Sequence, residues 1–175
     1  ETGTGLDALT AVAENEPDII LLDLNMKGMS GLDTLNAMRQ EGVTARIVIL
    51  TVSDAKQDVI RLLRAGADGY LLKDTEPDLL LEQLKKAMLG HRVISEEVEA
   101  YLYELKNATD DNTWIENLTP RELQILQELA EGKSNRMISE DLHISEGTVK
   151  VHVKNLLRKA NAKSRTEMAV RYLNN

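Results

Sequence analysis

Hydrophobic residues in the first half of the chain fall in short unbroken runs at positions 19–22, 47–50 and 69–72. Such runs are typical of strands that are covered on both faces, as in parallel sheets. Helically spaced apolar residues lie before, between and after them, as in Leu32, Leu35 and Met38. The alternation of helix and strand predicts an open, doubly wound parallel α/β sheet.

The pattern after Thr119 is helical throughout. Thr119-Pro120-Arg121-Glu122 combines an N-cap, a proline at the first helical position and a capping box. Ser134, Ser145 and Ser164 are placed to begin three further helices. Four short helices predict a small all-α domain that contains a helix-turn-helix.

The segment between these two patterns predicts a linker. Residues 95–106 have one more helical pattern, and residues 107–113 are polar, with no apolar side chain larger than alanine. The predicted organisation is therefore an α/β domain at 1–92, a linker helix and flexible linker at 93–114, and an all-α domain at 115–175.

Charge divides at the same place. The 175 residues carry a net charge of -8, but residues 1–114 hold 11 basic and 21 acidic residues, whereas residues 115–175 hold 10 basic and 8 acidic ones. Seven basic residues lie between Lys150 and Arg171. This asymmetry indicates two domains with different partners, the second of them suited to nucleic acid.

Composition excludes several classes of protein. The chain has no cysteine, which excludes disulfides, thiolate catalysis and cysteine-based zinc sites. It has no apolar run long enough for a membrane span, so no membrane partner is expected. The absence of cysteine is compatible with a reducing cytoplasm, which is the predicted location.

Each predicted strand ends in a polar residue, namely Asp23, Thr51 or Lys73. Ligands of open parallel sheets bind beyond the carboxyl ends of the strands, so a carboxylate, a hydroxyl and an ammonium should meet there. This trio suits phosphoryl transfer to a carboxylate, with Mg²⁺ to screen the anions. A single Asp after a strand is more often a turn residue, and only the set of three favours a functional site.

The helix after Ser145 carries an apolar stripe, with Lys150, Lys154 and Arg158 on the neighbouring face. Lysine can reach guanine acceptors in the major groove, and an exposed Val151 can contact a thymine methyl. A basic helix face alone is more often a solvated surface. The short helix and tight turn before it favour DNA recognition.

Three segments of the first half resemble the receiver domain of bacterial two-component response regulators: DIILLDLNMKGMSGLD at 18–33, IVILTVSD at 47–54 and AGADGYLLKD at 65–74. The resemblance implies that Asp23 is the phosphoacceptor and Lys73 the phosphate-contacting lysine. It makes Thr51 and Tyr70 the switch pair. Asp23 and the backbone carbonyl of Asn25 would be metal ligands.

One feature of that family has no counterpart here. A receiver begins with a strand that carries an acidic pair for the metal, and it has five strands where this pattern gives three. We therefore expect the chain to be truncated at its N-terminus, without the first strand–helix–strand unit. Mg²⁺ is accordingly expected for the complete receiver, and the acidic pair is absent from this chain.

Residues 118–167 resemble the DNA-binding domain of LuxR/NarL-type regulators, from LTPRELQILQELAEGKSNRMISEDL to the second capping box. The resemblance implies that Lys150, Val151 and Lys154 read bases. It also offers five phosphate contacts: Ser134, Asn135, Thr148, Arg158 and Lys163. The last helix would form the dimer face on DNA.

Together the two halves resemble a NarL-family response regulator, with the nearest resemblance to its nitrate/nitrite branch. The implied protein is not an enzyme. A sensor histidine kinase would phosphorylate Asp23, and a homodimer would then bind double-stranded DNA and alter transcription, with RNA polymerase as a further partner.

Two alternatives remain open at this point. One is a DNA-binding protein that acts without phosphorylation and uses the receiver for dimerisation or inhibition. The other is a phosphotransferring or phosphatase-like enzyme of doubly wound fold. Turnover of a small phosphate ester without specific DNA binding would favour the enzyme.

Overall fold

The structure is a computed structural model that describes residues 1–52, 56–88 and 113–173. The chain divides into two compact units, residues 1–83 and 84–175. The helices and strands, in chain order, are α1 (Gly5–Glu14), β1 (Ile19–Asp23), α2 (Gly31–Gln40), β2 (Arg46–Thr51), α3 (Lys56–Arg64), β3 (Gly69–Leu72), α4 (Pro77–Met88), α5 (Thr113–Glu116), α6 (Pro120–Ala130), α7 (Asn135–Asp141), α8 (Glu146–Lys159) and α9 (Arg165–Leu173).

The first unit is a parallel sheet with strand order β1-β2-β3, as the apolar runs predicted. Asp23 at the end of β1 is paired with Leu50, and Thr51 at the end of β2 is paired with Leu72. This register brings the carboxyl ends of all three strands to one edge of the sheet.

Apolar side chains of the strands and helices form the core of the first unit. Leu35, Met38, Ile47 and Ile49 are fully buried in it. The N-terminal caps of the first two helices are the hydroxyls of Thr4 and Ser30, which accept from the backbone of Asp7 and Asp33. Buried apolar side chains thus stabilise the sheet and its packing, and polar caps determine where the helices of this unit begin.

A largely buried arginine forms hydrogen bonds that connect the loops of this unit. The Arg39 guanidinium donates to the carbonyls of Gly66 (2.8 Å), Val43 (2.8 Å) and Ala45 (3.0 Å). It also forms an ion pair of 2.5 Å with Asp68. The two side chains are 9% and 2% exposed, so the pair and its hydrogen bonds are shielded from water.

The second unit contains the four predicted helices as α6 to α9, together with the short α5. Thr119 and Glu122 form the predicted capping box of α6, and Ser134 and Ser145 cap α7 and α8 as expected. The core includes Trp114, which comes from α5 and is 8% exposed. The predicted helix at 95–106 and residues 107–112 lie outside the described part of the chain, so the domain boundaries stay predictions.

Glu122 does more than cap α6, because its carboxylate also accepts from the Lys159 ammonium at 2.7 Å. Lys159 lies at the end of α8 and donates to the carbonyl of Asn117 as well. The hydrogen bond from Lys159, followed by those from Thr119, lowers the pKa of Glu122 to about 2. The start of α6 and the end of α8 are therefore held together by one buried carboxylate.

This contact predicts an acid-sensitive contribution to stability. A carboxyl whose pKa is lower in the folded than in the unfolded state stabilises the fold above its unfolded pKa, and that stability is lost as the pH falls through the folded pKa. Glu122→Gln, which keeps the capping acceptor, should cost about 2 kcal/mol of unfolding free energy near pH 7.

The difference between wild type and Glu122→Gln should shrink as the pH falls from 4.5 towards about 2. Denaturant unfolding followed by fluorescence of Trp114, the single tryptophan, measures this unit selectively. A difference that stays constant across this pH range would contradict the assigned ion pair.

None of the helices in the described ranges is long and apolar enough to cross a membrane.

Candidate functional site

Two of the predicted strand-end residues are in direct contact. Asp23 is the last residue of β1, and Lys73 directly follows β3. The Lys73 ammonium donates to Asp23 Oδ2 at 2.6 Å, and the backbone N–H of Asn25 donates to Asp23 Oδ1 at 2.9 Å. Both carboxylate oxygens thus accept a hydrogen bond at the open edge of the sheet.

The electrostatics of this edge keep Asp23 ionised. The hydrogen bond from Lys73 is the main cause that lowers the pKa of Asp23, with a further contribution from the N–H of Asn25. The Lys73 and Asp23 side chains are 34% and 35% exposed, so solvent and a donor molecule can reach them. An accessible carboxylate beside a cation is suited to act as a nucleophile towards a phosphoryl group.

The other predicted residues of this site are placed less directly. Thr51 ends β2 and is 3% exposed, and its carbonyl accepts from the backbone N–H of Lys73 at 2.8 Å. Tyr70 lies within β3, paired with Ile49 and packed against the first core. Thr51 therefore lies at the same end of the sheet as Asp23. Tyr70 lies near the start of β3, further from that end.

The backbone around Asp23 is held by a close approach of α2. Gly31, the first residue of α2, donates its N–H to the carbonyl of Leu24 at 3.1 Å. A Cβ at Gly31 would lie 2.2 Å from the carbonyl oxygen of Asp23. Only glycine allows this packing, so the loop after β1 is fixed by α2.

The predicted metal ligands form an incomplete set. Among residues 1–52, 56–88 and 113–173 no group of three or more His, Cys, Asp or Glu side chains could hold a metal ion. Asp23 would supply one carboxylate and Asn25 one carbonyl, whereas Mg²⁺ requires near-octahedral oxygen coordination. The described side chains therefore do not by themselves form a Mg²⁺ site.

The predicted recognition helix presents the expected two faces. Val149, Val153 and Leu156 are fully buried in the second core. Val151 is 60% exposed, and Lys154 is exposed beside it. Val151 does not contribute to the core of the unbound domain, so its exposed side chain is available to contact apolar groups of a partner.

The five residues predicted to contact phosphates are placed in different environments. Thr148, Arg158 and Lys163 are exposed, and the Ser134 hydroxyl caps α7 by accepting from the N–H of Met137. Asn135 is only 3% exposed, and its amide oxygen accepts from Arg165 at 3.4 Å. The structure thus places Asn135 inside the domain.

Three of the seven basic residues counted near the C-terminus serve the fold. Lys159 binds Glu122, and Arg165 is buried and donates to the carbonyl of Lys133. Arg171 donates to the carbonyl of Ala160 and pairs with Glu167. The surface available to an anionic partner is therefore less basic than the sequence count indicated, and it is concentrated on α8.

Lys133 is a further cation that serves the fold, which sequence reasoning did not single out. Its ammonium pairs with Asp141 at 2.8 Å, with Glu131 at 3.2 Å and with Glu128. The hydrogen bonds that the ammonium donates to these three carboxylates, that to Asp141 first, raise the pKa of Lys133. The lysine joins α6 to the end of α7 and so fixes the helix that precedes the turn before α8.

Two family models match this chain. The model of the response regulator receiver domain matches residues 1–85. The model of bacterial regulatory proteins of the luxR family matches residues 116–172. The expected truncation before Glu1 is not supported by the receiver match, which begins at residue 1.

Two curated proteins are similar to this chain over nearly its whole length. The nitrate/nitrite response regulator protein NarP of Escherichia coli is 53% identical over 173 residues, which cover 99% of this chain and 80% of that protein. A nitrate/nitrite response regulator homologue of Haemophilus influenzae is 51% identical, with 97% and 80% covered.

A solved structure shares the fold. The crystal structure of a LuxR-family two-component response regulator from an Aurantimonas species has a TM-score of 0.50 and 27% identity, and it covers 61% of this chain and 76% of that one.

Proposed function

The chain belongs to the LuxR family of bacterial response regulators, and from this premise we propose that phosphorylation of Asp23 controls binding of α8 to DNA. The observation that carries the proposal is the contact between Asp23 and Lys73 at the open edge of the sheet. It joins an accessible carboxylate nucleophile to a cation that can neutralise phosphoryl oxygens.

The phosphoryl step follows from this geometry. A carboxylate oxygen of Asp23 attacks the phosphorus of a phosphohistidine on a sensor kinase. The new O–P bond forms as the N–P bond breaks, and the imidazole nitrogen leaves with the electron pair. Lys73 then lies beside the new acyl phosphate, where its ammonium can bind a phosphoryl oxygen.

Thr51 and Tyr70 are proposed to be the switch pair, which rearranges when the phosphoryl group arrives. The carbonyl of Thr51 accepts from the backbone N–H of Lys73, which supports a response of Thr51 to a change at Lys73. Receiver domains generally bind Mg²⁺ at the phosphorylation site. When bound, such an ion would neutralise charge on the attacking and transferred oxygens. Asp23 and the backbone carbonyl of Asn25 would supply only part of its ligand set.

The second unit supplies the DNA-binding surface. Lys150, Val151 and Lys154 of α8 are proposed to read base edges in the major groove, and Ser134, Thr148, Arg158 and Lys163 to contact phosphates. Asn135 is instead proposed to support the fold through Arg165. The active species is proposed to be a homodimer that acts on transcription with RNA polymerase.

The signal is proposed to be nitrate or nitrite. This proposal rests on the relatives named above, which are similar over nearly the whole chain. Its test is phosphorylation of Asp23 by a sensor kinase whose own phosphorylation rises with nitrate or nitrite. A kinase that modifies Asp23 equally with and without these anions would contradict it.

The alternative is a regulator that binds DNA without phosphorylation and uses its receiver for dimerisation or inhibition. This alternative predicts the same DNA affinity for Asp23→Asn and wild type under phosphorylating conditions.

The DNA-binding half is tested by two kinds of substitution. Lys150→Ala or Lys154→Ala should relax the base preference at one or two positions, at a cost of about 1–3 kcal/mol each. Lys163→Ala should weaken binding to all sequences alike and reduce the salt dependence. Selection of sites from randomised duplexes measures the base preference, and binding titrations at several salt concentrations measure the effect of Lys163→Ala. An unchanged base preference in Lys150→Ala would show that α8 is not the recognition helix.

A further inference from the structure

An acidic residue, Glu146, lies one helical turn before the proposed base-reading residues of α8. The ammonium of Lys150 is 3.4 Å from Oε1 of Glu146, one helical turn earlier. The Lys150 side chain is only 27% exposed and that of Glu146 is 42% exposed. The lysine is therefore folded back along the helix towards the carboxylate.

The preceding helix provides a comparison. Arg136 and Glu140 of α7 form an ion pair with the same spacing at 3.2 Å, but their side chains are 73% and 65% exposed. An exposed pair of this kind contributes little to stability. The pair on α8 is more shielded, and its carboxylate lies one helical turn before the proposed base-reading residue Lys150.

A carboxylate at this position has two effects on DNA binding. It repels phosphate oxygens and offsets the charge of Lys150, so contacts that involve the backbone alone are weakened. It can also accept a hydrogen bond from the N4 amino group of cytosine in the major groove, while a neighbouring lysine donates to guanine. A guanine–cytosine pair presents both an acceptor and a donor, whereas the phosphate backbone presents acceptors only.

We infer that Glu146 is a specificity-determining residue of α8, which disfavours sequence-independent binding and accepts from a cytosine amino group at the correct site. The inference rests on the proposed function of α8 in DNA recognition. It differs from the ordinary role of an acid in the first turn of a helix, which is to stabilise the helix dipole.

The test uses the whole phosphorylated chain, as wild type and with Glu146→Gln, and Glu140→Gln is the matched control. The probes are a short duplex selected by the wild-type chain from a randomised library and a scrambled duplex of the same composition. Glu146→Gln should bind the scrambled duplex more tightly and lower the ratio of selected to scrambled affinity by about fivefold or more. Glu140→Gln should leave that ratio unchanged.

The outcomes separate this inference from the function on which it rests. A wild-type chain that selects no preferred sequence would overturn both. A wild-type chain with a clear preference, combined with equal ratios for Glu146→Gln and Glu140→Gln, would overturn the role of Glu146 alone.

A second variant guards against an effect of folding. Glu146→Asp keeps the negative charge and should keep weak binding to the scrambled duplex. Binding of that duplex as tight as that of Glu146→Gln would also overturn the inference. Trp114 fluorescence reports whether each variant retains the packed second core.

Discussion

Replacing Arg39 with methionine is expected to destabilise the first unit by about 3 kcal/mol, because the change breaks a buried ion pair and leaves Arg46 as the remaining cation near Asp68. Asp68 is 2% exposed and has Arg39 Nη2 at 2.5 Å. The same substitution removes the donors to the carbonyls of Gly66, Val43 and Ala45. Unsatisfied buried acceptors add to the cost.

The measurement separates the two units of the chain. Far-ultraviolet circular dichroism follows the unfolding of both, whereas Trp114 fluorescence follows the second unit. Arg39→Met should shift the unfolding of the first unit, which circular dichroism detects and fluorescence does not, to lower denaturant concentration. The unfolding of the second unit should stay unchanged. Arg61→Met, a change at an exposed position of α3, should shift stability by less than about 0.5 kcal/mol. Equal effects of the two variants would refute the role of Arg39.

Replacing Asp23 with asparagine is expected to abolish phosphorylation of the chain. The amide keeps the size of the side chain but has no anionic oxygen to attack phosphorus. The Lys73 ammonium also loses the carboxylate that it contacts at 2.6 Å. Incubation with a phosphorylated sensor kinase, followed by mass spectrometry, measures the phosphoryl group, and lability to hydroxylamine identifies an acyl phosphate.

Asp33→Asn is the matched control for this substitution. Asp33 is an exposed carboxylate in the first turn of α2 and lies outside the contact between Asp23 and Lys73. The Asp33→Asn variant should be phosphorylated at Asp23 to the same extent as wild type. Full labelling of Asp23→Asn, or a label that maps to another carboxylate in wild type, would show that Asp23 is not the acceptor.

The residues at the strand ends could be placed from sequence because their position depends on chain order. Asp23, Thr51 and Lys73 each follow an apolar run, and parallel strands bring their carboxyl ends to one edge. The caps at Ser134 and Ser145 could be predicted for a similar reason, since a cap depends on residues only a few positions away.

The internal arginines and lysines could not be placed in this way. Arg39 resembled any polar residue of an amphipathic helix, because its acceptors are carbonyls that the fold brings together. Lys159 resembled one more cation of a DNA-binding helix, because its partner Glu122 lies 37 positions away. A count of charges along the sequence therefore overstated the basic surface of the second domain.

The measurement that tests the central claim most directly is the DNA affinity of the whole chain before and after phosphorylation. The probe is a duplex selected by the phosphorylated chain, at a fixed salt concentration. We predict that phosphorylation tightens binding about fivefold or more in wild type and leaves binding of Asp23→Asn unchanged. Equal affinity of the fully phosphorylated and unphosphorylated chains would contradict control of DNA binding by Asp23.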